Sequence, residues 1–166
     1  MQNAVSEQVP LLKGGLQGGA CTPGLWNFLL DYLLSPCVKS WAQKGYGVDL
    51  GDERTCISHE IWADDILWYS SNWDEFREMT ANLSEALAEG NLSWKTSSLA
   101  FMVNEPGKQA AEVPESFTVL GLHGLNFKFS RVDSMEILGI SLDSSAAPLH
   151  SLEHRITAGH VHFHSR

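Results

Sequence analysis

The sequence predicts an α+β fold, an antiparallel sheet with helices packed on one face, and three observations carry that prediction. Runs rich in β-branched, aromatic and other apolar residues recur at 56–71, 99–103, 117–129 and 135–142, as strands require. Two stretches, 23–35 and 73–89, instead repeat their apolar residues at helical spacing. The 166 residues are 43% hydrophobic and 19% charged, which suits one globular core that buries about two thirds of the unfolded surface.

Each element has a local reason. Val9 to Leu12 reads as a short strand, and the glycine-rich GGLQGGACTPG that follows reads as a loop whose backbone can turn or approach a ligand closely. Thr22 and Pro23 form an N-cap and first-turn pair. Leu25, Phe28, Leu29, Tyr32 and Leu33 then mark a helix over 23–35 that Pro36 is expected to stop. In CISHEIWADDILWYSS two strand-forming runs are interrupted only by Asp64 and Asp65, which predicts a hairpin with the acids at its tip. Asn72 and Glu75 make a capping-box-like start, and Phe76, Met79, Leu83 and Leu87 line one helix face until Gly90. A buried strand at 99–103, a polar link through 104–115, and apolar runs at 117–129 and 135–142 forming another hairpin complete the sheet. A further helix is expected to begin near Glu153.

Composition excludes several classes. No run approaches the roughly 20 apolar residues of a membrane span, and the amino terminus lacks a basic segment followed by an apolar one, so a soluble, intracellular, non-secreted chain is expected. Cys21, Cys37 and Cys56 have neither the even number nor the spacing of a disulfide framework or a zinc module. The formal charge of −9 opposes autonomous nucleic-acid binding, because nonspecific affinity comes from cations that neutralise phosphates.

The candidate chemistry centres on Asp64 and Asp65. Adjacent residues of a regular strand point to opposite faces, so two neighbouring carboxylates converge only where the chain turns. Hard divalent cations take a few carboxylates plus phosphate oxygens, and paired metals can stabilise both oxygens of a phosphoryl transfer. An Asp-Asp pair alone is more often a solvated turn. The flanking strand-forming runs shift the balance here. His160, His162 and His164 would share one strand face and could hold a transition metal, although a solvated terminus fits them better. Trp68, Trp73 and Trp94 read as packing residues rather than base-stacking platforms.

HEIWADDILWYSS resembles the catalytic hairpin of reverse transcriptases, an aromatic-Ala-Asp-Asp box between two palm strands, with Trp62 where Tyr or Phe is usual. Upstream, GLQGGACTPGLWNFLLDYLL resembles the Gly-x-x-Gln-Gly...Ser-Pro-x-Leu-Phe-Asn loop and helix of non-LTR retrotransposon and group II intron enzymes. Gly15, Gln17, Gly18, Pro23, Leu25 and Asn27 fall on the family's positions, with Thr22 for Ser and Trp26 for Phe. The helix from Trp73 followed by LSWKTSSLAFM, and MEILGISLD at 135–143, resemble the later palm helix-turn-strand and the primer-grip hairpin, in the family's order.

The resemblance implies a truncated RNA-directed DNA polymerase. Residues 1–143 would be a partial palm and 144–166 the start of a thumb or a frayed tail. Asp64 and Asp65 would be catalytic ligands of Mg2+ or Mn2+. Gln17, Gly18 and Trp62 would position template and nucleotide, and Lys95 is a candidate general acid toward pyrophosphate. The implied partners are an RNA template, a DNA primer and deoxynucleotides, in the nucleus or cytoplasm and without a membrane. The family's first catalytic aspartate and its fingers are expected upstream, since no aspartate precedes Gly14. Two rivals stand beside this reading: a decayed or domesticated palm remnant that binds without catalysis, and a metal-dependent phosphohydrolase using Asp64 and Asp65 with Glu60.

Overall fold

The computed structural model describes residues 19–49, 56–103, 112–137 and 140–144. The expected strand at 9–12, the helix near Glu153 and the alternating histidines lie outside these residues. Among the described residues the chain is mixed α+β, with two α-helices and small antiparallel and mixed sheets. No helix among them is long and apolar enough to cross a membrane. The chain divides into two compact units between Tyr69 and Ser70.

In the first unit, α1 spans Thr22–Lys44. Cys21 rather than Thr22 occupies the N-cap position, without a side-chain cap bond, and proline lies in the first turn as expected. The helix does not stop at Pro36 but runs through it. A proline costs its own N–H bond and crowds the carbonyl four residues back, here that of Tyr32. That loss is offset beyond the proline by Trp41, which is fully buried. The helix ends at Gly45, whose φ of 70° is the left-handed turn glycine adopts at little cost.

The buried face follows the expected spacing only in part. Leu25, Phe28 and Tyr32 are each about 70% exposed, whereas Leu30, Leu33, Leu34 and Trp41 are buried. The run LWNFLLDYLL is apolar around most of its circumference, so spacing alone does not select the packed side. After α1, β1 (Val48–Asp49) pairs antiparallel with β2 (Cys56–Ile57). Then β3 (His59–Trp62) and β4 (Asp65–Trp68) form the predicted hairpin, with Trp62 opposite Asp65.

In the second unit, α2 spans Trp73–Glu89 as predicted. Asn72 Oδ1 accepts from Glu75 N at 3.0 Å, and Glu75 accepts in turn from Asn72 Nδ2 at 2.6 Å. That reciprocal cap is typically worth about 1 kcal/mol. Met79, Leu83 and Leu87 are buried on the anticipated face.

Strands β5 (Ala100–Phe101), β6 (Ser116–Leu120) and β7 (Asn126–Arg131) make one sheet in the order β5-β7-β6, with β5 parallel to β7. The runs at 117–129 and 135–142 do not pair with each other. The first folds on itself as β6 and β7, and the second supplies β8 (Ser134–Ile137) and β9 (Ile140–Asp143), an antiparallel pair of its own. The cause is local: Gly121 to Leu125 makes a tight turn in which Gly121 N–H donates to the Leu125 carbonyl at 2.9 Å.

Phe117, Val119, Phe127 and Phe129 alternate onto one face of the β6–β7 pair, and the Phe117 and Phe129 rings stack at 5.2 Å. Ser84 of α2, buried, donates to the Leu120 carbonyl at 2.6 Å and accepts from the Trp94 indole at 3.0 Å. Gly121 closes this junction. A Cβ there would lie 2.7 Å from a Phe127 ring carbon and 3.2 Å from Ser84 Oγ. We predict that Gly121→Ala lowers stability by about 1–3 kcal/mol, the usual effect of overpacking, in a denaturant titration. An unchanged midpoint would mean that the ring moves aside freely.

Candidate functional site

The β3–β4 turn holds Ala63 and Asp64, while Asp65 is the first residue of β4. The two acids are thus placed as the sequence predicted, on the tip of an antiparallel hairpin. Ala63 adopts φ 55°, a left-handed backbone uncommon for a residue with a Cβ. The positive φ falls on the first central residue and not on Asp64, the distribution of a type II′ hairpin turn, which favours glycine at that place.

What holds alanine there is a bond that was not anticipated. Trp26 Nε1–H donates to the Ala63 carbonyl at 2.8 Å, across 37 positions of sequence. The sequence carries no decisive signal for it, because Trp26 is only half-buried and an indole N–H there could equally donate to water. The helix meets the hairpin again at its base, where the Trp41 and His59 rings make an edge contact at 6.1 Å.

The register divides the hairpin into two faces. Residues directly opposite in an antiparallel pair share a face, so Glu60, Trp62, Asp65 and Leu67 lie on one side and His59, Ile61, Ile66 and Trp68 on the other. The second side is half-buried throughout. On the first side, Glu60, Trp62 and Asp65 are exposed, as is Asp64 at the turn, and Trp62 is 66% accessible. A flat, exposed indole therefore shares a face with the Asp65 carboxylate.

Glu60 is engaged by its own hairpin. Tyr69 OH donates to Glu60 Oε2 at 3.1 Å, and burial, together with that carboxylate, pushes the phenol above its ordinary range. His59 behaves oppositely: burial lowers its imidazole below the ordinary value, with Ser58 Oγ 3.0 Å from Nδ1.

Of the other residues singled out, Lys95 is exposed, just ahead of a 3-10 turn in the second unit, and Gln17 and Gly18 lie outside the described residues. No group of three or more histidine, cysteine, aspartate or glutamate side chains among the described residues could hold a metal ion. Asp64 and Asp65 are the residues that would hold a divalent cation here, since carboxylates are the hard oxygen donors magnesium takes. The fit is that of part of a site. Comparison with protein-family models, with curated proteins and with solved structures finds no match to the chain.

Ala63→Gly relieves the left-handed backbone and should stabilise the hairpin by about 1 kcal/mol, whereas Trp26→Phe should cost about as much through the lost bond. Slower amide exchange across 59–68 in the first and faster exchange in the second would bear this out, and no change in either would contradict it.

His59 sets a pH dependence. Because its folded-state pKa is depressed, its neutral form is favoured in the native state, so stability is full above about pH 6.5 and falls as pH drops and the unfolded chain takes the proton first. Thermal melts from pH 8 to 5 should show a loss that His59→Asn reduces. A parallel decline in both proteins would assign the effect to other groups.

Proposed function

We propose that the chain is part of the palm of an RNA-directed DNA polymerase of the non-LTR retroelement type, with Asp64 and Asp65 contributing carboxylates to a divalent-metal site for nucleotidyl transfer. The observation that carries this reading is the Trp26 to Ala63 bond. It brings together the two segments that resemble separate polymerase motifs, the loop-and-helix block around Leu25 and Asn27 and the Asp-Asp hairpin. Convergence is what the chemistry needs, since a nucleotide must be positioned within reach of the metal that activates it.

In this reading Asp64 and Asp65 would hold a divalent ion at the tip of the hairpin, and such an ion would supply charge neutralisation for phosphate oxygens. Trp62, exposed beside Asp65, offers an apolar surface on which a base or ribose can rest. The Trp26 indole acts as a positioning group, because it donates to the Ala63 carbonyl and so holds the turn that carries Asp64. Lys95, Gln17 and Gly18 remain candidates for the roles their resemblance implies.

A non-catalytic remnant of the same palm is the second reading, favoured by the net charge of −9, which repels a phosphate backbone. Primer extension on an RNA template separates the two, run with the chain alone and with basic finger segments supplied, each against Asp64→Asn. The polymerase reading expects extension when the fingers are present and its loss in Asp64→Asn. Extension that survives Asp64→Asn would contradict the assigned site, and inertness of every form would leave the remnant reading standing.

A further inference from the structure

Among the described residues, the second unit carries a strand edge with no neighbouring strand beside an acidic groove, independent of the polymerase reading. In the order β5-β7-β6, strand β6 is an edge. Two bonds bracket its ladder with β7: Arg131 N–H to the Glu115 carbonyl at 2.8 Å, and Gly121 N–H to the Leu125 carbonyl at 2.9 Å. Antiparallel pairing alternates, so 117 and 119 bond inward while 116, 118 and 120 turn N–H and C=O away from β7. The Leu120 carbonyl is taken by Ser84 Oγ. The backbone groups of Ser116 and Thr118 face outward, and among the described residues no strand lies beyond them in the sheet.

Along this edge, between β6 and α2, runs an open groove of about 560 Å3. On the helix side Ala81, Ser84 and Ala88 line it at helical spacing, and their small side chains leave room that larger ones would fill. Three carboxylates, Asp74, Glu78 and Glu85, also line it, against the single guanidinium of Arg77. Native edges are commonly blunted by lysine or proline, and the β6 sequence SFTVL has neither.

We propose that this edge binds a short basic peptide in extended conformation, added beside β6 as a further strand. Its backbone would pair with the outward groups of Ser116 and Thr118. Alternate lysine or arginine side chains would reach the acidic flank of α2, since side chains of an added strand alternate between faces. Main-chain pairing supplies attachment, and the carboxylates select the sign of the partner's charge.

The test uses the full chain and a fluorescently labelled hexapeptide alternating lysine with valine, with the glutamate-for-lysine peptide and spermine as comparators. Thr118→Pro removes an N–H that points away from β7, so it blocks an added strand without costing a ladder bond. The double variant Glu78→Lys/Glu85→Lys reverses the rim. We expect saturable binding of the lysine peptide, protection of the Ser116 and Thr118 amides from exchange, and a loss of about tenfold or more in either variant. The glutamate peptide should not bind. Full binding by a natively folded Thr118→Pro, equal competition by spermine with the Ser116 and Thr118 amides unprotected, or no binding up to about 1 mM would each overturn the proposal. If Thr118→Pro misfolds, amide protection in the unsubstituted chain decides alone.

Discussion

The hydrogen bond from the Trp26 indole to the Ala63 carbonyl is the constraint on which the first unit turns. A two-stranded hairpin is marginal by itself in water, and this one also carries a left-handed alanine at its tip. Both liabilities are met by α1, which grips the tip through Trp26 and packs at the base through Trp41 against His59. Because the carbonyl is held from one direction, the turn can present Asp64 to solvent while Asp65 stays in register opposite Trp62. Placement of the two carboxylates is thus tied to a residue of α1, 37 positions away in sequence.

The second unit is built on a different principle. Its aromatic residues form a connected cluster in which Trp73, Phe76, Phe101 and Phe117 lie within 5.1–5.8 Å of one another. The rings meet mostly at an edge or a tilt, as their quadrupoles favour. Buried polar groups in this core have partners: Thr80 Oγ1 donates to the Phe76 carbonyl at 2.7 Å, and Ser84 joins the Trp94 indole to the edge of β6. Satisfying Ser84 in this way brings α2 alongside β6, which is also what shapes the groove at that edge.

Much of this was legible in the sequence where one local signal dominated. The span of α2 could be read because Asn72, Glu75 and the Met79–Leu83–Leu87 repeat agree on the same helix. The hairpin could be read because two acids interrupt runs that otherwise favour strands. Legibility failed where long-range packing decided the outcome. Nothing local shows that Leu30 and Leu34 are buried alongside Leu33 while Phe28 and Tyr32 are not, and burial of Trp41 carries α1 past Pro36. The strained φ of Ala63 depends on a donor 37 residues away, so no turn rule based on neighbouring residues finds it. The positions of Asp64, Asp65 and Trp62 were foreseen, and the residue that fixes them was not.

The proposed function requires that the Asp-Asp turn, held by Trp26 at the start of α1, receive a divalent cation. The Trp26 indole N–H reports on this directly, because it gives its own resonance and touches the turn. The decisive measurement is therefore a Mn2+ titration of the 15N-labelled chain, with Asp64→Asn/Asp65→Asn as the control. Selective broadening of the Asp64, Asp65 and Trp26 indole signals together, absent in the control, is the predicted result. Broadening that spares the Trp26 indole, or that persists without the two carboxylates, would contradict the account.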